Sequence, residues 1–383
     1  MSLYPEIRVV QASLIAWFLG AAVTVSSAQP TAAPGYFPLW QESPPNITDL
    51  ALIYCGSVKR LPWTPAQLAP YVSFKDPRSG KESWLFDGFL YIEYVDGRGH
   101  EYAHGYKQAS ARKQEWSWLL ERFFAPGQAV GGLDQSCQAV ADRLGTPTRR
   151  RQVVLTLPEP IFKQKDWGTL HGRPLDFSLV EDRVAACGWY VNTALAMWRK
   201  SAPKNLDLAG FYWVAEHSWA GKQVLPKVAQ VIHSQGKQFF WIPYWKAAGA
   251  TDWRHLGFDV AYQQPNYFFH PEIPRSRLDE ACTVAKKHGM GLELEFDLRL
   301  QSSPEKFRPR LPAYLNAFER DGVAAESAMA YYEGGGALRQ MAASKDRAVR
   351  QLYREVARFA LARQQKADAL ARHAAARAAQ QAR

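Results

Sequence analysis

Three acids occupy alternate positions in the run Gly-Met-Gly-Leu-Glu-Leu-Glu-Phe-Asp, from Gly289 to Asp297. In a strand, Glu293, Glu295 and Asp297 share one face while Leu292, Leu294 and Phe296 share the other. A buried carboxylate without a partner costs several kcal/mol, so that face must meet solvent, a counter-charge, a metal or a substrate. An edge strand with a wet face also satisfies the pattern. A further acid, Glu216, closes the apolar run Gly210-Phe-Tyr-Trp-Val-Ala-Glu-His217. Two converging carboxyls can divide proton donation from attack at an anomeric carbon, which is what glycoside hydrolysis needs. On this reading Glu216 is general acid/base and Glu295 the nucleophile or second carboxylate, with Asp297 as its substitute. Glu293, one layer deeper in a filled barrel, is expected to hold Glu295 in place through a buried bond to Gln264, Tyr332 or a basic residue.

Aromatics and amides accompany these acids. Trp213, Trp241, Tyr244, Trp245, Tyr267 and Tyr332 offer flat faces for the C–H side of a sugar, and Gln264, Asn266 and Glu333 offer polar groups for its hydroxyls. Taken singly, each Trp serves equally well as core, and Glu216 as a helix cap or ion-pair partner. The combination is what points to a sugar site.

A second chemistry is spelled by His100-Glu101-Tyr102-Ala103-His104, the HExxH pattern of zinc proteases. It requires both His on one helix face. Asp96-Gly97-Arg98-Gly99 before it and Gly105 after it predict a loop instead. No metal or other cofactor is therefore expected.

The elements that position these residues are short apolar, aromatic-rich runs. Eight occur: 50–54, 84–94, 152–157, 209–215, 238–244, 259–264, 291–296 and 327–332. Helical patterns fill most of the gaps, at 113–124, 133–144, 177–199, 221–233, 275–288 and 311–320. The gaps after the first and fifth runs are short and rich in Trp, Pro and Gly, so loops are expected there. Strand and helix alternating eight times predicts an α/β fold, a (β/α)8 TIM-type barrel, with a long helix after Leu338. Working residues of such barrels lie at the C-terminal ends of the strands, which is where Glu216 and the 293–297 acids fall. A doubly wound open sheet is the alternative, but no Gly-rich phosphate loop follows the first run.

A chain of 383 residues, 47% hydrophobic and 22% charged, supports one substantial core. Val9 to Val25 is mostly apolar, follows Arg8 and ends in Ser26-Ser27-Ala28, the form of a cleaved export signal, with an uncleaved anchor as the alternative. The four cysteines lack CxxC spacing; three fall in helix-like segments and are expected to pack as small hydrophobes, with a disulfide between two of them as the alternative in an exported chain. Of the net charge of +11, ten basic and three acidic residues lie from Lys345 onward. A basic tail on a nearly neutral body predicts a solvated or surface-adhering helix, and no nucleic-acid partner. The expected organisation is an export signal over 1–28, a linker over 29–48, the barrel over 49–362 and a basic, frayed tail over 363–383.

The ordered motifs Ile53-Tyr-Cys-Gly56, Phe86-Asp-Gly88, Glu181-Asp-Arg183, Gly210-Phe-Tyr-Trp213, Trp241-Ile-Pro-Tyr244, Gly257-Phe-Asp259, Gln264-Pro-Asn-Tyr267, Glu295-Phe-Asp297 and Tyr331-Tyr332 resemble the bacterial domain-of-unknown-function family 4855 over about residues 50 to 360. The resemblance implies an exported, glycosidase-like barrel. The expectation is therefore an exported (β/α)8 hydrolase acting on a polysaccharide or glycan, with no membrane anchor once the signal is cleaved. A non-catalytic carbohydrate-binding barrel is the alternative.

Overall fold

The computed structural model describes residues 35–106 and 108–381. The export signal expected over 1–28 lies outside the described residues. Eight parallel strands close on themselves: β1 (Asp49–Tyr54), β2 (Gly88–Ile92), β3 (Arg151–Leu157), β4 (Leu206–Trp213), β5 (Gln238–Trp241), β6 (Val260–Gln263), β7 (Gly291–Glu295) and β8 (Met329–Tyr332). Each pairs with its sequence neighbours, and β1 pairs with β8 to complete the (β/α)8 barrel. Every residue of β1, β2 and β7 is buried, because the strands are covered by side chains inside and by helices outside. That double burial is why β1 and β2 read as nearly continuous apolar runs, whereas β7 alternates Leu with Glu although both of its faces are buried.

The principal surrounding helices are α1 (Pro65–Val72), α2 (Lys113–Phe123), α3 (Ala129–Leu144), α4 (Val180–Ser201), α5 (Leu225–Ser234), α6 (Ser276–His288), α7 (Arg310–Arg320), α8 (Ala337–Ala343) and α9 (Arg347–Gln381). The unit after β5 carries only a 3-10 turn, Ala250–Asp252. Strand β4 shifts register between Leu208 and Gly210 as it pairs with β3. Glycine is required there, since a Cβ on Gly210 would come within 1.9 Å of the Gln238 carbonyl oxygen.

The C-terminal segment departs from expectation. Helix α9 continues to Gln381, and Arg363, Gln364 and Ala367, placed in the tail by sequence, are buried against the barrel. The Arg363 guanidinium donates to the Asp49 carboxylate (2.6 Å) and to the carbonyls of Thr48, Val323, Ala324 and Ser327. Gln364 bridges Asp49 (2.7 Å) and Asp87 (3.0 Å), while Arg149 pairs with both Asp87 and Asp368. Asp49 opens β1 and Asp87 precedes β2, so this network seals the N-terminal end of the barrel. An Ala/Arg/Gln-rich sequence conceals this, because the contacts come from three polar residues, Arg363, Gln364 and Asp368, rather than from an apolar stripe. All four cysteines are unpaired and buried. No helix among the described residues is long and apolar enough to cross a membrane.

Candidate active site

At the opposite end, where the strands finish, a cavity of about 400 Å³ opens. Its floor and walls include Leu52 and Tyr54 from β1, Glu93 and Tyr94 just after β2, Tyr212 and Glu216 from β4 and its loop, Gln264 and Asn266 after β6, Glu293 from β7 and Tyr332 from β8. The inward residues keep strand parity: Leu52 with Tyr54, and Tyr212 with Glu216. Trp213 and Trp241 have the opposite parity and accordingly lie in the outer core. Trp213 packs edge-on to Phe239, while Trp241 stacks on Phe258 and donates its indole N–H to the Ala215 carbonyl. Neither lines the cavity.

Glu216 accepts Gln264 Nε2 at 2.7 Å and the Tyr94 hydroxyl at 3.3 Å on the same oxygen, Oε1. Burial raises its carboxyl above the ordinary range, and these two donors pull it back. Gln264 is itself oriented by donating to the Ile242 carbonyl and by accepting from Asn266 Nδ2 at 2.8 Å. Glu293 has no hydrogen-bond partner among the described residues, so neither Gln264 nor Tyr332 holds it, contrary to expectation. Burial, followed by the charges of Glu295 and Glu216, pushes its carboxyl well above the usual carboxylate range.

Glu293 and Glu295 thus exchange the positions anticipated for them. Glu293 lines the cavity without an ion-pair partner among the described residues, whereas Glu295 is fully buried and does not line it. The Asn266 amide (2.9 Å), the Phe268 amide (3.5 Å) and the Tyr314 hydroxyl all donate to Glu295. Burial still pushes its carboxyl up to about 7. The reason is the chain beyond β6: the 266–268 loop and Tyr314 of α7 enclose the last residue of β7, which is a tertiary contact that strand alternation cannot reveal.

Other expected site residues do not line the cavity. Asp297 is held by its own neighbour Arg299 at 2.7 Å. Tyr267 lies beneath the Arg310 guanidinium and edge-on to Tyr314. Glu333 accepts the Tyr71 hydroxyl and the Gly336 and Leu338 amides at the start of α8. Tyr244 and Trp245 lie on the β5 loop outside the cavity, Tyr244 exposed and Trp245 beneath Arg277. Of the residues expected from sequence, the structure brings together Glu216, Gln264, Asn266, Tyr332 and Glu293.

Most of the residues that sequence reasoning missed come from the first two strands and the loops after them, while Tyr212, Ile242 and Phe269 join from β4, the end of β5 and the loop after β6. Tyr54, Tyr94 and Tyr106 form a connected aromatic wall, Tyr94 lying 6.2 Å from Tyr54 and 5.0 Å from Tyr106 between ring centroids. Tyr332 packs edge-on to Tyr54 at 5.8 Å. Arg60 makes a two-pronged ion pair with Glu93 (2.8 and 3.1 Å) and covers the Tyr54 ring. Glu93 could have been found, since it ends an apolar run just as Glu216 does.

Tyr106 belongs to the loop that spells HExxH, and that loop is not helical. His100–Glu101 form a two-residue strand paired with Ala109–Ser110, followed by turns. His100 Nδ1 faces Asp96 at 2.8 Å, and Glu101 accepts the Tyr106 amide at 2.8 Å. The helix face that zinc would need is not formed. Among the described residues no cluster of three or more His, Cys, Asp or Glu is placed to hold a metal.

A larger groove of about 610 Å³ lies between α7 and α9, lined in part by Leu315, Phe359 and Arg363. Ala324 and Ala325, which also line it, precede β8, so it belongs to the far side of the barrel from the strand C-termini.

The chain belongs to the family described as a domain of unknown function, DUF4855, whose sequence model matches residues 49–358. No curated protein matches it. Among solved structures, a putative alpha-L-fucosidase from Bacteroides thetaiotaomicron VPI-5482 is 15% identical, with 91% of this chain and 99% of that one covered and a TM-score of 0.45. The catalytic domain of a GH18 chitinase from the fern Peteris ryukyuensis is 13% identical, covering 82% and 99%, with a TM-score of 0.43. A GH113 beta-1,4-mannanase is 9% identical, covering 82% and 98%, also with a TM-score of 0.43. Likeness this distant carries no conclusion about chemistry, and the barrel assignment rests on the closed strand order itself.

Proposed function

We propose that this DUF4855 barrel is a glycoside hydrolase in which Glu216 and Glu293 form the working carboxyl pair. One observation carries the reading: two acids from the ends of β4 and β7 share a single tyrosine-walled cavity, and they differ in how their carboxyls are satisfied. Glu216 takes two hydrogen bonds that favour its ionised form. Glu293 takes none and is pushed toward its neutral form by burial and two neighbouring acids. Pairs of acids whose surroundings separate their proton affinities divide the labour of acid and base. Glu293 then donates its proton to the glycosidic oxygen as the bond to the anomeric carbon breaks. Glu216, ionised, serves the anomeric carbon by attacking it or by taking a proton from the attacking water. These roles reverse those first drawn from strand position, and Glu293 replaces Glu295.

The lining also bears on the sugar. Its cation Arg60 is already neutralised by Glu93, which leaves the ionised Glu216 as an uncompensated negative charge beside the neutral Glu293. Such a cavity repels an anionic ring, so the reading is for neutral or amino sugars rather than uronic acids. Export, read from Val9–Val25, completes the proposal with polymeric glycans outside the cytoplasm as substrates. The test is a screen of purified protein against neutral, amino and acidic polysaccharides for newly formed reducing ends. Release from a neutral or amino polymer that is lost in both Glu216→Gln and Glu293→Gln supports the reading. Binding without release in wild type would leave a non-catalytic carbohydrate-binding barrel.

A further inference from the structure

Beside the cavity lies an aromatic surface for which the hydrolytic reading has no use. Trp219 is 60% exposed, whereas Trp63, Trp116, Trp167, Trp213, Trp241 and Trp253 are fully buried. It stacks on the His217 imidazole at 5.1 Å and 23°, so one indole face is backed and the other is free. Tyr244, 38% exposed, meets the same imidazole edge-on at 6.4 Å. Large aromatics left in water on a mobile tip would be unremarkable surface. These are not on a mobile tip.

The loop that carries them is tied from three sides. Ser218, fully buried and lying between His217 and Trp219 in sequence, donates both its amide (3.0 Å) and its hydroxyl (2.8 Å) to the Ala248 carbonyl of the β5 loop. The Tyr244 amide reaches the Glu216 carbonyl at 3.3 Å. The buried Arg183 guanidinium donates to the Ala220 carbonyl at 2.7 Å. The rings are therefore presented in a fixed arrangement, and little ordering entropy is left to lose on binding. Burial, with His104 nearby, lowers the proton affinity of His217, which keeps the imidazole a neutral backing for the indole.

Position supplies the occupant. Trp219 follows Glu216 by three residues, so its Cα lies at most about 11 Å from that of the cavity acid, three virtual bonds of about 3.8 Å each. We propose that Trp219, backed by His217 and flanked by Tyr244, is a sugar-stacking subsite that receives a glycan chain as it leaves the cavity. The indole face meets the apolar C–H face of a pyranose. The ligand is accordingly an oligosaccharide or polysaccharide, recognised beyond the ring that the cavity holds. This inference rests on the hydrolase reading for the cavity, and its test separates the two.

The test measures binding of defined β-glucan, mannan, xylan, galactan and chitin oligosaccharides, as disaccharides and hexasaccharides, by calorimetry on wild type, Trp219→Ala, Trp219→Phe and Tyr244→Ala. In at least one series the wild type binds the hexasaccharide more tightly than the disaccharide. Trp219→Ala weakens the hexasaccharide by about threefold to tenfold, the scale of one aromatic contact, and leaves the disaccharide unchanged. Trp219→Phe recovers part of the loss. Unaltered melting of Trp219→Ala, whose side chain is mostly in water, shows that the fold is intact. Equal hexasaccharide binding by Trp219→Ala and wild type overturns the subsite and leaves the cavity reading standing. Failure of every series to bind wild type overturns both.

Discussion

Replacing Arg363 by Ala removes the guanidinium that pairs with Asp49, a carboxylate with no exposure of its own at the sealed end of the barrel. Gln364 and the Tyr331 hydroxyl still reach Asp49, but neither carries charge. The carbonyls of Thr48, Val323, Ala324 and Ser327 lose their donor as well. Breaking a buried pair from one side costs about 3–5 kcal/mol, because the remaining charge stays buried. With an unfolding entropy of about 2.1 cal/mol/K per residue, that corresponds to a fall in Tm of about 4–7 °C for a body of this size. The loss also depends on pH with a definite sign. Burial already pushes the Asp49 carboxyl up against the pull of Arg363, and without the guanidinium it rises further. An acid whose folded value exceeds its unfolded value, about 3.9, is penalised only once pH rises above that unfolded value. The deficit of Arg363→Ala relative to wild type is therefore smallest near pH 4 and largest at neutral pH. Adding Asp49→Asn to Arg363→Ala removes the orphaned charge and recovers part of the stability. Thermal unfolding followed by far-UV circular dichroism across that pH range measures all of this. An unchanged Tm in Arg363→Ala at pH 7, or a deficit that grows on acidification, would refute the account of α9 as a polar seal on the barrel.

Further outcomes follow from the other end. Tyr94→Phe removes a donor to the ionised form of Glu216, so the acidic limb of the pH–rate profile moves to higher pH, measured as kcat/KM against pH; no movement would mean that Glu216 is not the ionised partner. Tyr314→Phe takes one of the four donor groups from the buried Glu295 and costs about 1–3 kcal/mol in denaturant unfolding, with the reaction itself reduced only through the 266–268 loop. Glu293→Gln retains far more activity toward a nitrophenyl glycoside, whose leaving group needs no proton, than toward a polysaccharide; equal losses on both would remove it as the acid.

The barrel was legible because its strands are buried on both faces and interrupted by helices of ordinary length, so the eight apolar runs coincide with the eight strands. Glu216 was legible for the same reason, as the polar residue that closes one run. Parity was the signal not used: counting by twos from Glu216 back to Tyr212 turns Trp213 outward, and the same count on β5 turns Trp241 away from the inward Ile242. Glu295 shows where alternation ends. It has the parity of Glu293, yet Tyr314 and the Asn266 and Phe268 amides enclose it from segments remote in sequence. Arg60 and Tyr106 were hidden because they reach the cavity from loops with no periodicity, the latter two residues past a motif that spells a different chemistry. Arg363 and Gln364 were hidden because polar residues in an Ala-rich helix read as solvated unless their partners at the start of β1 and before β2 are known.

The most direct measurement is polysaccharide hydrolysis by Glu216→Gln, Glu293→Gln and Glu295→Gln side by side, with folding of each checked by its melting curve. The cavity geometry predicts that the first two lose about 10²-fold to 10⁴-fold in kcat while remaining folded, the range for loss of a general acid or base. Glu295→Gln instead loses stability first, with smaller effects on kcat in the fraction that stays folded. Full activity in Glu293→Gln together with an inactive but stably folded Glu295→Gln would contradict the pairing of Glu216 with Glu293.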